Sequence, residues 1–397
     1  MSTSATRAAA AVILVLGGAS ASAGTAPDSA QWDAVEEAAR GQTVYWHAWA
    51  GSNAVNDYIR WVAEEARERF GVTVEHVKVS DIAESVSRVV AERAAGRDEG
   101  GAVDLMWING ENFAAMKERG LLFGPWVEDL PNWRYVDPEA NPAVVTDFTI
   151  PTDGLEAPWD MAQLVFYHDT ARLPEPPRSI PALLDWAERN PGRFAYPQPP
   201  DFLGSTFLKQ ALYDLTPDKA VLARPVGEAD YAEATAPLWE WLDALTPHLW
   251  RGGGAYPQNE SRLIQLMADG ETDIGLAFNP NAASNAIANF ELQDSVRSFV
   301  LEGGTIGNAN FVAIPYNASA PAAAMVVANF LLSPEAQARK QDPAIWGGGT
   351  VLSMERLSPE QRALFAGIER GPATLSPAEL GETLPEPHPS WMVRLEE

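Results

Sequence analysis

The side chains of this chain with chemistry to offer are tryptophans, amides and carboxylates placed just beyond short apolar runs. Trp46 lies in Thr-Val-Tyr-Trp-His and Trp49 in the Ala-Trp-Ala-Gly-Ser that follows. Trp107 nears the end of Val103–Ile108, ahead of Asn109-Gly110-Glu111-Asn112. An indole offers a flat polarisable face and one N–H donor, suited to a sugar face, an aromatic ring or an organic cation. Asn109, Glu111 and Asn112 could bond polar groups or hold a cation; Asn109 and Glu111 would equally suit a helix N-terminus. Residues 196–206 read Tyr-Pro-Gln-Pro-Pro-Asp-Phe-Leu-Gly-Ser-Thr, prolines running into a predicted helix start whose free N–H groups attract carboxylate, sulfate or phosphate. Tyr196, Asp201, Ser205 and Thr206 are the candidate contacts there. Asn259-Glu260-Ser261 and Asn279-Pro280-Asn281 add Glu260 and Asn279. Trp346, in Trp-Gly-Gly-Gly-Thr, reads either as a flap over a cleft or as a turn with a packed ring.

Patterns for catalysis are weaker. The five His show no H-x-x-x-H spacing, no G-x-S-x-G occurs, and carboxylate pairs are spatial features that a sequence does not reveal. A secreted enzyme, a lyase or hydrolase with Glu111 or Asp201 as general base, stands as the alternative to a binding protein. The absence of Cys removes disulfides, thiolate metal sites, a thiol nucleophile and a lipidated N-terminal Cys. No metal or other cofactor is expected.

At 397 residues with 46% hydrophobic content, the chain can build two full cores. A net charge of −26 argues against a nucleic-acid partner. Arg7, the apolar run from Ala8 to Leu16 and Ala21-Ser22-Ala23 read as a secretory leader over residues 1–23, cleaved after Ala23, with a soluble periplasmic product. Strands over Thr43–His47, Val72–Val79 and Val103–Ile108 alternate with helices over Val55–Phe70 (capped by Asn53), Ile82–Ala95 (an Asp81/Glu84 capping box) and Asn112–Arg119, which implies a parallel sheet with helices on its faces. Ligands of such sheets bind beyond the carboxyl ends of the strands. Helices are also predicted near Ala182–Arg189 and over Ser205–Tyr213, Tyr231–Leu245 and Ser261–Ala268, with strands at Phe194–Tyr196 and Thr272–Phe278. Glu302 to Gln337 holds a glycine-loosened crossing, a strand over Phe311–Ile314, an apolar helix stopping at Ser333, and Ser333-Pro334-Glu335 opening the next. Ser358 with Gln361 and Ser376 with Glu379 fit capping boxes.

Asp104–Phe113, Gly270–Gly275 and the 302–337 crossing resemble bacterial extracytoplasmic solute-binding proteins of ABC importers. Within that class, Trp107–Phe113, Pro158-Trp159-Asp160-Met161-Ala162-Gln163 and Asn190-Pro191-Gly192-Arg193 through Lys209-Gln210 resemble the YnjB-type binding proteins, with similarity from about Thr43 to the C-terminus. The resemblance implies an α/β, two-lobed type II periplasmic-binding fold with the ligand in the cleft between lobes. It implies a discontinuous first lobe (24–162 plus 308–397), a second lobe (163–307) and crossings near 158–168 and 303–311, so Trp159 and Asn308 join the candidates. It implies a small-molecule ligand, a membrane permease and a cytoplasmic ATPase as partners, and a monomeric binding subunit that alters nothing chemically. Ferric-ion binders of this fold typically use adjacent tyrosines, whereas here Phe166 precedes Tyr167. A sensor role is a third possibility, and a thiamine-like cation, an anion or a sugar would each fit as ligand.

Overall fold

The computed structural model describes residues 27–381 and 383–397; the expected leader and its cleavage site lie outside them. β1 (Thr43–Trp49), β2 (Thr73–Val79) and β3 (Leu105–Ile108) run parallel, with helices Asn53–Phe70 and Ala83–Ala94 between them. A short hairpin of β4 (Thr146–Asp147) and β5 (Ile150–Pro151) precedes β6 (Glu156–Gln163), which leads into β7 (Val165–Asp169). β8 (Ile274–Ala277) and β9 (Val296–Phe299) flank β7 antiparallel. β10 (Thr305–Ala313) then returns to pair antiparallel with both β3 and β6, and β11 (Thr383–Leu384) adds beside its first residues. The large sheet is ordered β2-β1-β3-β10, with β6 also on β10; the small one is β8-β7-β9.

Alternation along the strands sorts the cores. Leu105 and Val312 face the side covered by helices Trp32–Ala39, Asn53–Phe70 and Pro321–Leu331, while Met106, Ile108 and Ala313 face helices Ala83–Ala94 and Gly110–Glu118. A second pair of cores surrounds the small sheet. Burying apolar surface at roughly 25 cal/mol per Å² makes these cores the main folding drive.

Most predicted elements are present, with informative differences. Helix Asn53–Phe70 is capped by Ser52, not Asn53. The Asp81/Glu84 box does not form, because Glu84 accepts from Ser80 instead. Both boxes at Ser358/Gln361 and Ser376/Glu379 are present. Phe194–Tyr196 forms only an isolated bridge from Phe194 to Ile274. β10 begins at Thr305, so Gly307 sits inside a strand: a Cβ there would lie 2.7 Å from Ala162 O, and the glycine serves close backbone approach rather than a bend. The stretch 308–397, expected wholly in the first lobe, divides. Ala373, Leu384, Trp391, Met392 and Leu395 pack in the cores around the small sheet. The reason is local: the proline-rich run 385–389 carries the chain across, and the Trp391 indole donates to Arg224 O at 2.9 Å on the far side.

Where β6 and β10 cross, polar groups are buried in mutual contact. Lys340, with no exposed surface, donates to Asp160 Oδ1 at 2.8 Å and to Gly349 O, while Asn310 Nδ2 donates to Asp160 Oδ2 at 2.8 Å. Burial pushes the Asp160 carboxyl up and the Lys340 ammonium down, and each is opposed by the other's charge. Gln337 donates to Trp159 O (2.7 Å) and Leu331 O (2.8 Å) and accepts from Thr350 Oγ1 (2.9 Å) and Val351 N (3.1 Å).

Leaving one buried charge without its partner costs about 3–5 kcal/mol, more than removing both. Lys340→Met is therefore expected to destabilise strongly in urea unfolding, and Lys340→Met with Asp160→Leu to recover much of that loss. Equal losses in the single and double variants would contradict this account.

Candidate ligand-binding cleft

The cleft begins where β1 ends. Gly51 lets the chain turn under the Trp49 ring, since a Cβ there would lie 2.2 Å from Trp49 Cζ2. Ser52, Asn53 and Ala54 follow at the start of helix Asn53–Phe70. Opposite them, on the small-sheet side, stand the first turns of helices Glu260–Ala268 and Ala282–Ala288. Together with Trp346 these lobes line a cavity of about 100 Å³, bordered by Trp49, Glu260, Asn279, Asn285, Glu291 and Trp346 among others.

The two sides are in direct contact. Ser261 Oγ donates to Gly51 O at 3.1 Å. Asn279 Nδ2 donates to Trp346 O at 3.2 Å, Asn285 Nδ2 to Pro343 O at 2.8 Å, and Asn281 Nδ2 to Gly347 O. Farther along, Lys209 Nζ lies 4.3 Å from the centre of the Phe148 ring and 2.7 Å from Glu386 Oε2. A second cavity there is lined by Phe148, Gly307, Asn308 and Glu386 among others.

Of the residues expected from sequence, Trp49, Glu260, Asn279 and Trp346 come together around the first cavity. Trp107 is half-buried; its ring meets Trp49 edge-on at 6.4 Å and its Nε1 donates to Asn310 at 3.3 Å. Trp46 and Trp159 are corrections: both are fully buried, 5.4 Å apart, because their strand positions face the first core. Trp346 packs on Trp159 at 5.2 Å, so the turn-with-packed-ring reading fits the 346–350 loop. Tyr196 is also core, 4.7 Å from Phe207.

The anion site expected at Gly204-Ser205-Thr206 is not present as such. The helix starts earlier, at Phe202, and Asp201 caps it by accepting from Leu203 N (3.0 Å) and Gly204 N (3.3 Å). Ser205 Oγ donates to Glu396 at 3.0 Å, and the buried Thr206 donates to Phe202 O at 2.8 Å. Asn109 is turned into its own lobe, donating to Ala309 O at 2.8 Å. Asn112 is half-buried one turn into the same helix, and Asn308, buried at the second cavity, donates to Glu386 Oε1 at 3.1 Å. Glu111 reaches solvent, yet loss of hydration around its carboxyl raises it, with the Lys209 charge opposing.

Sequence reading missed Lys209, Lys340, Asn281 and Asn285. The asparagines were legible in principle, since Asn281, Asn285 and Asn289 recur every four residues along one helix face. The two lysines gave no such signal.

Burial lifts the Glu260 carboxyl to about 7, with Asp201 adding to the rise; Asp201 is itself raised by burial, with Asp81 contributing. The Tyr167 hydroxyl is buried without a partner and also feels Glu260.

A mixed sheet led by three parallel strands, joined to a smaller lobe by β6, β10 and the segment leading to Trp391, with a lined cavity between, is the type II periplasmic-binding architecture. Among solved structures, the periplasmic binding protein AfuA from Actinobacillus pleuropneumoniae, with fructose-6-phosphate bound, superposes with TM-score 0.61 at 16% identity over 88% of this chain and 93% of that one. The Tp0655 (TpPotD) lipoprotein of Treponema pallidum gives 0.63 at 13% over 89% and 96%. Iron-bound HitA from Pseudomonas aeruginosa gives 0.57 at 16% over 89% and 98%. At these identities the likeness shows the fold. Residues 61–353 match the model of the bacterial extracellular solute-binding protein family, and the chain belongs to that family. Protein YnjB of Escherichia coli strain K12 is 45% identical over 372 residues, 94% of each chain. The chain is a bacterial extracellular solute-binding protein, a class that works outside the cytoplasm on a small-molecule solute. Among the described residues no helix is long and apolar enough to cross a membrane.

The raised Glu260 gives a signed prediction. Its folded value of about 7 lies above the ordinary 4.5, so the folded state holds more protons between those values and stability falls as pH rises through that window. Glu260→Gln should melt like the parent near pH 4.5 and several degrees higher at pH 8. Parallel melting curves for the two proteins across that range would remove Glu260 from a strained environment.

Proposed function

We propose that this chain clamps a small solute between its lobes at the cavity bounded by Trp49, Glu260, Asn279 and Trp346 and hands it over unaltered. One observation carries the reading: the cavity walls come from both lobes, Trp49–Ala54 on one side and residues 260–291 on the other. A solute there favours the shut state only through groups that meet it when both walls are near. Driving the population from 1:99 to 99:1 takes about 5.5 kcal/mol. One ring contact at about 0.5–2 kcal/mol and two charge-assisted hydrogen bonds at about 1.5–3 kcal/mol each supply that range. Asp201 engages its carboxylate as a helix cap, which supports holding over proton transfer.

In this reading the shut form docks as a monomer on the permease, whose cytoplasmic ATPase drives import, and an N-terminal leader delivers the chain to the periplasm. The test is calorimetric titration with the solute released from gently purified protein. Trp49→Ala should weaken it at least tenfold, and Gly51→Ala should also weaken it by displacing the ring. X-ray scattering should show compaction on binding. Unchanged affinity in both variants would move the site elsewhere, and an unchanged scattering profile would sink the clamp.

A further inference from the structure

We propose that the solute is a small organic cation, an amine or quaternary ammonium, held by Glu260 against the Trp49 and Trp346 rings. The inference rests on the solute-binding reading of that cavity. Its lining carries two carboxylates, Glu260 and Glu291, and four asparagines, with no Lys, Arg or His. Glu260 accepts no hydrogen bond within the chain among the described residues, although it lines the cavity. Its electrostatic neighbours are acidic: Asp201 acts on Glu260, and Asp81, from the opposite lobe, acts on Asp201. A cation entering here gains a charge-assisted partner and the half-exposed Trp49 ring, with the largely buried Trp346 ring also in the wall, while an anion gains repulsion.

Helix starts argue the other way and are outweighed. Helices Asn53–Phe70 and Glu260–Ala268 begin at the cavity, each presenting about half a positive charge. One donor of each is already taken by its cap: Val55 N donates to Ser52 Oγ at 3.4 Å and Arg262 N to Asn259 Oδ1 at 3.1 Å. Helix Ala282–Ala288 is too short to add much. The carboxylates therefore set the sign: Glu291 beside the cavity, and Glu260, whose charged form an incoming cation would favour.

The test titrates the full chain with choline, putrescine, the neutral choline isostere 3,3-dimethylbutan-1-ol, and glycerol 3-phosphate. At least one of the two cations should bind, at least about tenfold more weakly to Glu260→Gln and measurably more weakly to Glu291→Gln, with the isostere and the anion silent. The inference is overturned if neither cation binds, if the isostere or the anion binds as well as the cations, or if folded Glu260→Gln keeps full affinity. Native mass spectrometry of the same preparation separates the two levels of the argument. A copurified neutral or anionic molecule overturns the cation and leaves solute binding standing. A protein that carries no small molecule and compacts with no probe sinks both.

Discussion

The pairing of β6 with β10 is the constraint on which the rest depends. Two chain segments running between lobes lie side by side from Gly307 opposite Gln163 to Ala313 opposite Glu156, so the lobes share a backbone ladder. Hydrogen bonds alone would leave that ladder free to slide. The Asp160–Lys340–Asn310 group prevents it, because a buried charge displaced from its partner is far costlier than a stretched backbone contact. The same group fixes the Trp346–Gly349 loop through Gly349 O, and that loop accepts the asparagine bonds from the opposite lobe. One ion pair thus sets the geometry of both the joint and a cleft wall.

The cavity shows the opposite policy. Trp159 lies at the centre of an aromatic column, 4.8 Å from Trp107 and 5.2 Å from Trp346, and transmits the rigidity of the core to rings at the surface of the cleft. Glu260, by contrast, lines the cavity without a hydrogen-bond partner of its own among the described residues. A solute-binding protein keeps polar groups under-partnered where a guest completes them, at a cost in stability.

Much of this was legible in the residues. The first three strands and the helix Tyr231–Leu245 follow from plain periodicity, Trp49 follows a short apolar run, and Glu260 belongs to a helix-start pattern, Asn259-Glu260-Ser261. Where the reading failed, competing physics is identifiable. Asp201 looked like a ligand residue, but a carboxylate three places before Gly204 is also the strongest available cap, and the cap won. Trp46 and Trp159 were the right type too far inside their strands: helices cover both faces of this sheet, so a mid-strand ring joins a core, and the cleft opens only past the strand end. Lys340 sits in Ala-Gln-Ala-Arg-Lys-Gln, which reads as solvent-facing; its acid partner lies 180 residues earlier, a pairing only the fold creates.

The third passage of the chain between lobes, by β11 and the segment leading to Trp391, adds a mechanical consequence. Gln163 donates to Thr305 at 3.0 Å and accepts from Thr383 at 3.3 Å, lashing all three passages at one level. A joint tied by two parallel cords can twist as freely as it bends; a third cord off their axis stiffens torsion while leaving flexion soft. If the lobes close as proposed, such a joint would bring them together in a single alignment and present one fixed footprint to whatever docks on the shut form.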